Sequence, residues 1–286
     1  MRDGVDLNTQ LAEGFVLPPF GVPLEDMRGL KITATGAGFH ARHQVEKRED
    51  VLPFVTSASL ACGLHSGDPV LLAQVARDAI ARGVQVGAHP SYPGVFSYGQ
   101  QRIDLSDGAL EAVLLFQLGA AAAVIAGAGG RMRHIKCHGP LAMDISYDTR
   151  FGRVMLEAVR KFDPGLLVIF AADSPGLDAA RRAGLRAAGE GYADRGYGAD
   201  GRPVPRDHPR ALIEDASAVA LRMRDILCEG RVTCVDGTRI ALHAESVFLH
   251  SDTPGAATLA AAAVAAAREA GVALRPSAGM PDSAVD

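Results

Sequence analysis

Short apolar runs recur along the chain, and almost every one ends in a polar loop rich in Gly and Pro. VQVGA, LLVIFA and SVFL are too short for helices, and their unbroken apolar character is that of strands buried on both faces. Segments of helical period lie between them. Asp68 and Pro69 supply an N-cap and an N1 proline for VLLAQVARDAIAR, which Gly83 stops. Ser106 and Asp107 open a second helix through ALEAVLLFQLGAAAAVIAG. Further helices are predicted over Thr149 to Lys161, around Leu177 to Arg182, over Ser217 to Glu229 and after Pro254. Strands are predicted near Gly4 to Asn8, at HIKC and at LRAAGEGYA, and RVTCV with RIALHA reads as a hairpin turning at Asp236 and Gly237.

Strand and helix alternate about seven times, the mark of an α/β fold with a parallel sheet. An open doubly wound sheet gathers its chemistry at one switch point, whereas a barrel draws on most of its strand ends. LACGLHSGDP, VGAHPSYP, HIKCHGP and FLHSDTPG each place a histidine just past an apolar run: His65, His89, His138 and His250. A closed β/α barrel is therefore predicted, with seven and eight strands both open. A single domain is expected over residues 1–286. Residues 16–50 show no clear period and are long for a loop, which suggests an insertion, a lid or an oligomer contact. The polar tail, 276–286, is expected to fray.

Composition narrows the function. A net charge of -4 and a pI near 6.1 offer no basic field to a nucleic acid or an anionic membrane, so neither is an expected partner. No charge-free apolar stretch reaches the roughly 20 residues of a bilayer span, and MRDGVDLNTQ has no leader character, so a cytoplasmic enzyme is expected. Cys62, Cys137, Cys228 and Cys234 form no CxxC pair and read as buried free thiols.

Candidate chemistry sits at the strand ends. Asp6 and Asn8 share one face of the first strand, with Glu13 following, and could hold a metal, a substrate amide or a water; capping is the plainer role for Asp6 and Glu13. Asp68 has a capping task, whereas His65 has none and is a candidate base or ligand. Lys136 and His138 share a face, with Cys137 on the other and His134 deeper in the core. A buried lysine requires an anion, so Lys136 is a candidate for binding a carboxylate or phosphate, or for stabilising an oxyanion. Tyr92 follows His89, Asp194 and Arg195 precede Arg206 across a Gly- and Pro-rich excursion, and His250 with Asp252 stands at a helix start. Neither a Walker loop nor a GxGxxG turn follows any strand.

Six blocks, VDLNTQLAEGF, VTSASLACGLHSGDP, GAHPSYPG, HIKCHGPLAM, YADRGYGADGRPVPR and LHSDTPGA, resemble in content and order the pattern of the LamB/YcsF family. The family pattern runs DLNCDLGESFG, VTSANIACGFHAGDP, GAHPGYPD, HVKPHGALYN, FADRAY with DGSLVPR, and HGDTPGA. The resemblance implies an irregular, seven-stranded β/α barrel of the glycoside hydrolase and deacetylase sort. It also implies a hydrolase subunit that opens 5-oxo-L-proline, or a related lactam, to L-glutamate with ATP (and Mg) and with partner subunits B and C; a homo-oligomer is compatible with it. On that basis Asp6, His65, Lys136 and His138 are catalytic candidates. Asn8, His89, Tyr92, Arg102, Asp194, Arg195, Arg206, His250 and Asp252 are candidates for holding substrate or phosphate. A metal, if one is bound, would fall to Asp6, His65, His89 and His138. Exchange of Lys136 is expected to abolish turnover at little cost in stability.

The chain departs from the pattern around the expected pocket. Gln10 stands for an acid, Thr9 for a Cys, Ser59 for an Asn, and Ala142 and Met143 for Tyr-Asn. Arg102 is a shifted survivor of an arginine pair. Glutamine is neither a base nor a counter-charge for a metal. Two other readings therefore stay open: a metal-dependent hydrolase or deacetylase working without ATP, and a small-molecule-binding subunit whose catalysis is altered.

Overall fold

The structure is a computed structural model that describes residues 4–14, 31–34, 37–40 and 48–279. Strand β1 spans Asp6–Leu11, and an antiparallel pair, β2 (Lys31–Ala34) and β3 (Ala37–His40), follows. That pair is the described part of the segment expected to be an insertion or lid; most of that segment, and residues 280–286 of the tail, lie outside the described residues. The barrel resumes with β4 (Ser57–Ala61), α1 (Pro69–Ala81), β5 (Gln85–His89), α2 (Asp107–Gly127) and β6 (His134–Lys136). Two helices come next, α3 (Gly139–Tyr147) and α4 (Thr149–Phe162), then β7 (Leu167–Ala171), α5 (Pro175–Arg182) and β8 (Ala187–Tyr192). Helix α6 (Ala216–Arg224) runs into a π-helical turn at Asp225–Glu229; the β9 (Arg231–Thr233) and β10 (Arg239–Ala241) hairpin, β11 (Ser246–Phe248) and α7 (Ala256–Glu269) complete the chain.

Seven strands, all parallel, close in the order β1-β11-β8-β7-β6-β5-β4, with β4 paired back to β1. This resolves the strand number left open by the sequence. Alternation sorts the side chains: Ala58, Leu60, Val86, Ala88, Ile135, Val168, Phe170 and Val247 face the helices and join the main apolar core. Leu167, Ile169 and Ala188 form a separate small cluster with Ala278. Opposite those three, the barrel interior is polar and hydrogen-bonded. Thr56 and Ser57 donate to Asp6, Asn8 donates to Ser57 at 2.8 Å, and Ser59 donates to the Asn8 oxygen at 3.1 Å. The described part of the tail closes the floor, with Gln85 donating to the Gly279 carbonyl and Arg186 to that of Ala278.

Local signals explain the helices. Asp68 accepts from the Val70 and Leu71 amides, and Ser106 from Ala109, as capping requires. Helix α2 has a window of mean hydropathy 2.0 and is long and apolar enough to cross a membrane by those measures. In the barrel it buries Leu110, Leu114, Leu118, Ala121 and Ile125, and Gln117 reads both the amide and the carbonyl of Ser91. Two expectations are corrected: β1 runs from 6 to 11 rather than from 4 to 8, and a helix that the sequence did not suggest, α3, starts immediately after His138.

Candidate active site

The C-terminal ends of the strands enclose a cavity of about 330 Å³ lined by Gln10, His89, Gln100, Lys136, His138, Tyr192, Arg195, Arg206, Phe248 and His250, among others. Alternation puts Gln10, His89 and Lys136 there, each at an inward-facing position near the end of its strand.

Three of the four histidines meet. The His65 and His138 rings stack with centroids 4.1 Å apart, and His89 stands edge-on to both, at 5.7 and 5.1 Å. Glu13 joins them, its Oε1 3.3 Å from His65 Nε2 and 3.7 Å from His138 Nδ1. Burial, helped by the neighbouring Lys136 charge, holds His89 well below the usual imidazole range, and burial does the same for His138. Two backbone features assemble the group. Ala12 adopts φ 58°, a left-handed turn uncommon for a residue with a side chain, immediately before Glu13. Gly99, at φ 66°, packs so tightly that a Cβ there would lie 2.8 Å from that of His65.

Lys136 is buried, and the anion it requires is supplied by the chain itself. Its Nζ lies 2.9 Å from Glu190 and 3.8 Å from the centre of the Phe248 ring. Burial draws the ammonium down, but Glu190 overrides it and keeps Lys136 above its ordinary value, charged. Fourth in the histidine series, His250 stands apart from the other three. It receives a backbone and side-chain partner in Asp194, 2.9 Å from Nδ1, and stacks near Tyr192. Burial alone would raise the Asp194 carboxyl; His250 and Thr253 outweigh it and hold the group at about 2.

Arg195 is anchored by carbonyls, Nε to Ala211 at 3.0 Å and Nη2 to Val204 at 2.8 Å, and no carboxylate pairs with it among the described residues. Arg206 approaches Asp252 at 3.6 Å, and Asp252 also accepts from Gln10 Nε2 at 2.8 Å. That bond fixes the glutamine's orientation and leaves its Oε1 buried with no hydrogen-bond partner among the described residues.

The remaining candidates lie elsewhere. Asp6 and Asn8 are inside the barrel, below the cavity, with Asp6 bound by Thr56, Ser57 and Ser246; burial raises its carboxyl despite those donors. Glu13, and not Asp6, is the carboxylate beside the histidines. Tyr92 donates to Asp144 at 2.5 Å and Arg102 at 2.9 Å, so these two converge on the rim rather than on the histidines. Cys62 and Cys137 are buried thiols pushed up to about 12 by burial, unsuited to nucleophilic work, while Cys228, expected to be buried, is exposed. Residues the sequence did not single out are Glu190, Gln100 and Asp144. For Glu190 a signal existed, since it alternates with Tyr192 along β8.

The LamB/YcsF family model matches residues 33–282. The chain belongs to the LamB/YcsF family. Among LamB/YcsF relatives, the A-type 5-oxoprolinase subunit of Mycobacterium avium is 39% identical over 272 residues, covering 95% of this chain and 98% of that one. The protein of the same name from Kocuria rhizophila is 42% identical over 221 residues, 77% of this chain and 88% of its own. The crystal structure of a lactam utilization protein from Thermus thermophilus superposes with a TM-score of 0.79 at 32% identity, covering 96% of this chain and 99% of that chain. The barrel fold is thus shared with that structure.

Proposed function

We propose that this chain is the A-type component of an ATP-dependent 5-oxoprolinase, opening 5-oxo-L-proline to L-glutamate together with B- and C-type partner subunits. The observation that carries this reading is the near-full-length identity to relatives named as A-type subunits of 5-oxoprolinase. The cavity supports it chemically. A small cyclic amide bearing one carboxylate needs a cation on one side, an acceptor for its ring N–H and a means of activating its carbonyl. Arg195 and Arg206 supply cationic groups at the wall, and Gln10 Oε1 supplies a buried acceptor with no partner among the described residues.

A five-membered lactam resists water because its amide is nearly unstrained. Transfer of the terminal phosphoryl of ATP to the lactam oxygen makes the ring carbon electrophilic; water then adds, the C–N bond breaks, and the nitrogen leaves as an amine carrying a proton. A second water releases phosphate from the resulting acyl phosphate. Lys136 steadies negative charge on the carbonyl oxygen, and His89 and His138, which line the same cavity, position the attacking water.

The test is reconstitution. With ATP and the cognate B- and C-type subunits the chain is expected to release glutamate and phosphate from 5-oxoproline, and alone to release neither. Glutamate release by the chain without ATP would sink the reading.

A further inference from the structure

The hydrogen bonds around the three clustered imidazoles determine which nitrogen of each ring is bare. Ser91 Oγ donates its own hydrogen to the Tyr92 carbonyl at 2.9 Å, so it receives the proton of His65 Nδ1 at 2.8 Å, and in the neutral ring His65 Nε2 carries a lone pair. A carbonyl can only accept. His89 Nδ1 therefore donates to the Lys136 carbonyl at 2.7 Å, and its Nε2 is bare. His138 Nε2 faces the Tyr98 carbonyl at 2.9 Å and donates to it, which leaves Nδ1 bare. The Gln100 amide also approaches that nitrogen, at 3.0 Å, and turned through half a rotation it presents its oxygen to the same proton.

The bare atoms converge. His138 Nδ1 lies 3.2 Å from His89 Nε2, His65 Nε2 lies 3.3 Å from Glu13 Oε1, and all four ligand atoms fall within 4.8 Å of one another. Acceptor against acceptor at such distances in a dry interior is repulsive unless a proton or a metal ion lies between them. We propose that Glu13, His65, His89 and His138 form a binding site for a divalent transition-metal ion, zinc by the character of its donors. Three imidazole nitrogens and one carboxylate oxygen are a zinc donor set, and bonds of about 2.0–2.1 Å in a tetrahedron put ligand atoms about 3.4 Å apart. Ser91 and the carbonyls of Lys136 and Tyr98 are the outer partners that orient the rings. The His65 and His138 planes are within 11° of parallel, so their lone pairs meet only after the two rings tilt toward each other as the ion enters.

The site rests on these four side chains and not on the lactam reading, and its test uses no substrate. The full chain, stripped with a chelator and reloaded with zinc, is expected to retain one equivalent through gel filtration, measured by elemental analysis. Cobalt in its place is expected to give the strong visible ligand-field absorption of a four-coordinate ion. Glu13→Gln and His89→Ala should each weaken zinc by about tenfold or more, whereas the exposed His243→Ala should bind as the unaltered chain does. Circular dichroism confirms folding, and the near-isosteric Glu13→Gln decides the matter if His89→Ala folds poorly. A folded chain that retains no zinc above the blank, or a folded Glu13→Gln that binds as tightly as the unaltered chain, overturns the proposal.

Discussion

At the scale of single residues, the Lys136–Glu190 pair changes what a substitution means. Viewed in the sequence, Lys136 awaits an external anion and its loss should cost only activity. In the structure both partners are buried, so removing the ammonium leaves Glu190 uncompensated beside Phe248 and Tyr192. Lys136→Met is expected to lower stability by about 3–5 kcal/mol, because breaking a buried pair from one side strands a charge. Adding Glu190→Gln should recover most of that loss, since no charge is then stranded, yet activity in the reconstituted complex should stay absent. Urea denaturation of the two single variants and the double variant measures the coupling. If the three lose stability additively, the pair is not the unit described here. Gln10 follows similar logic without charge: its amide binds Asp252, where the acid of the family pattern would set two carboxylates face to face.

Elements differ in how far the sequence discloses them. The helix after Asp68 was legible because its cap, its proline and its stop are local, and the hairpin at Asp236 and Gly237 was legible for the same reason. Inward alternation along β6 correctly put Lys136 and His138 into the cavity, and His134 into the interior. Helix α3 was not legible, since its Gly-Pro start has the look of a loop; Pro140 there occupies a helical first turn, where a missing N–H costs nothing. Nor was the partnership of Glu13 with three histidines. It depends on a left-handed turn at Ala12, which no residue preference announces, and on contacts spanning more than fifty residues. Seven strands rather than eight is a property of closure and not of any segment. The loop at Tyr98 and Gly99 belongs to this scale too. Gly99→Ala should reduce stability by about 1–3 kcal/mol, from a strained backbone and a Cβ pressed on His65, and should weaken zinc binding in parallel. Thermal unfolding beside a zinc titration checks both; an alanine tolerated in each would mean that the loop does not press on the cluster.

Across the whole molecule, the barrel interior holds a polar column opposite its small apolar cluster, and His134 stands in that column. Its Nε2 lies 2.9 Å from Ser59 Oγ, and Gly87 makes the room, because a Cβ there would fall 2.4 Å from the ring. Burial, then the charge on Lys136, pushes His134 down to about 3 from an ordinary 6.5. The folded chain therefore binds fewer protons at this position than the unfolded chain does. The stability that follows is fully present above about pH 6.5 and is lost as pH falls toward about 3, by about 1.4 kcal/mol per unit. Glu190 acts in the opposite direction, since burial pushes its carboxyl up to about 7 against the pull of Lys136, so raising the pH from its ordinary 4.5 to that value costs stability. The two effects mask each other in the unaltered chain over their shared window, and comparison with His134→Gln separates them. The stability advantage of the unaltered chain over His134→Gln, measured by urea denaturation, should be greatest near about pH 7 and should shrink steadily toward about pH 4. Curves that stay parallel over that range would place the proton elsewhere in the column, and would remove His134 as the group that couples the barrel's interior to acid.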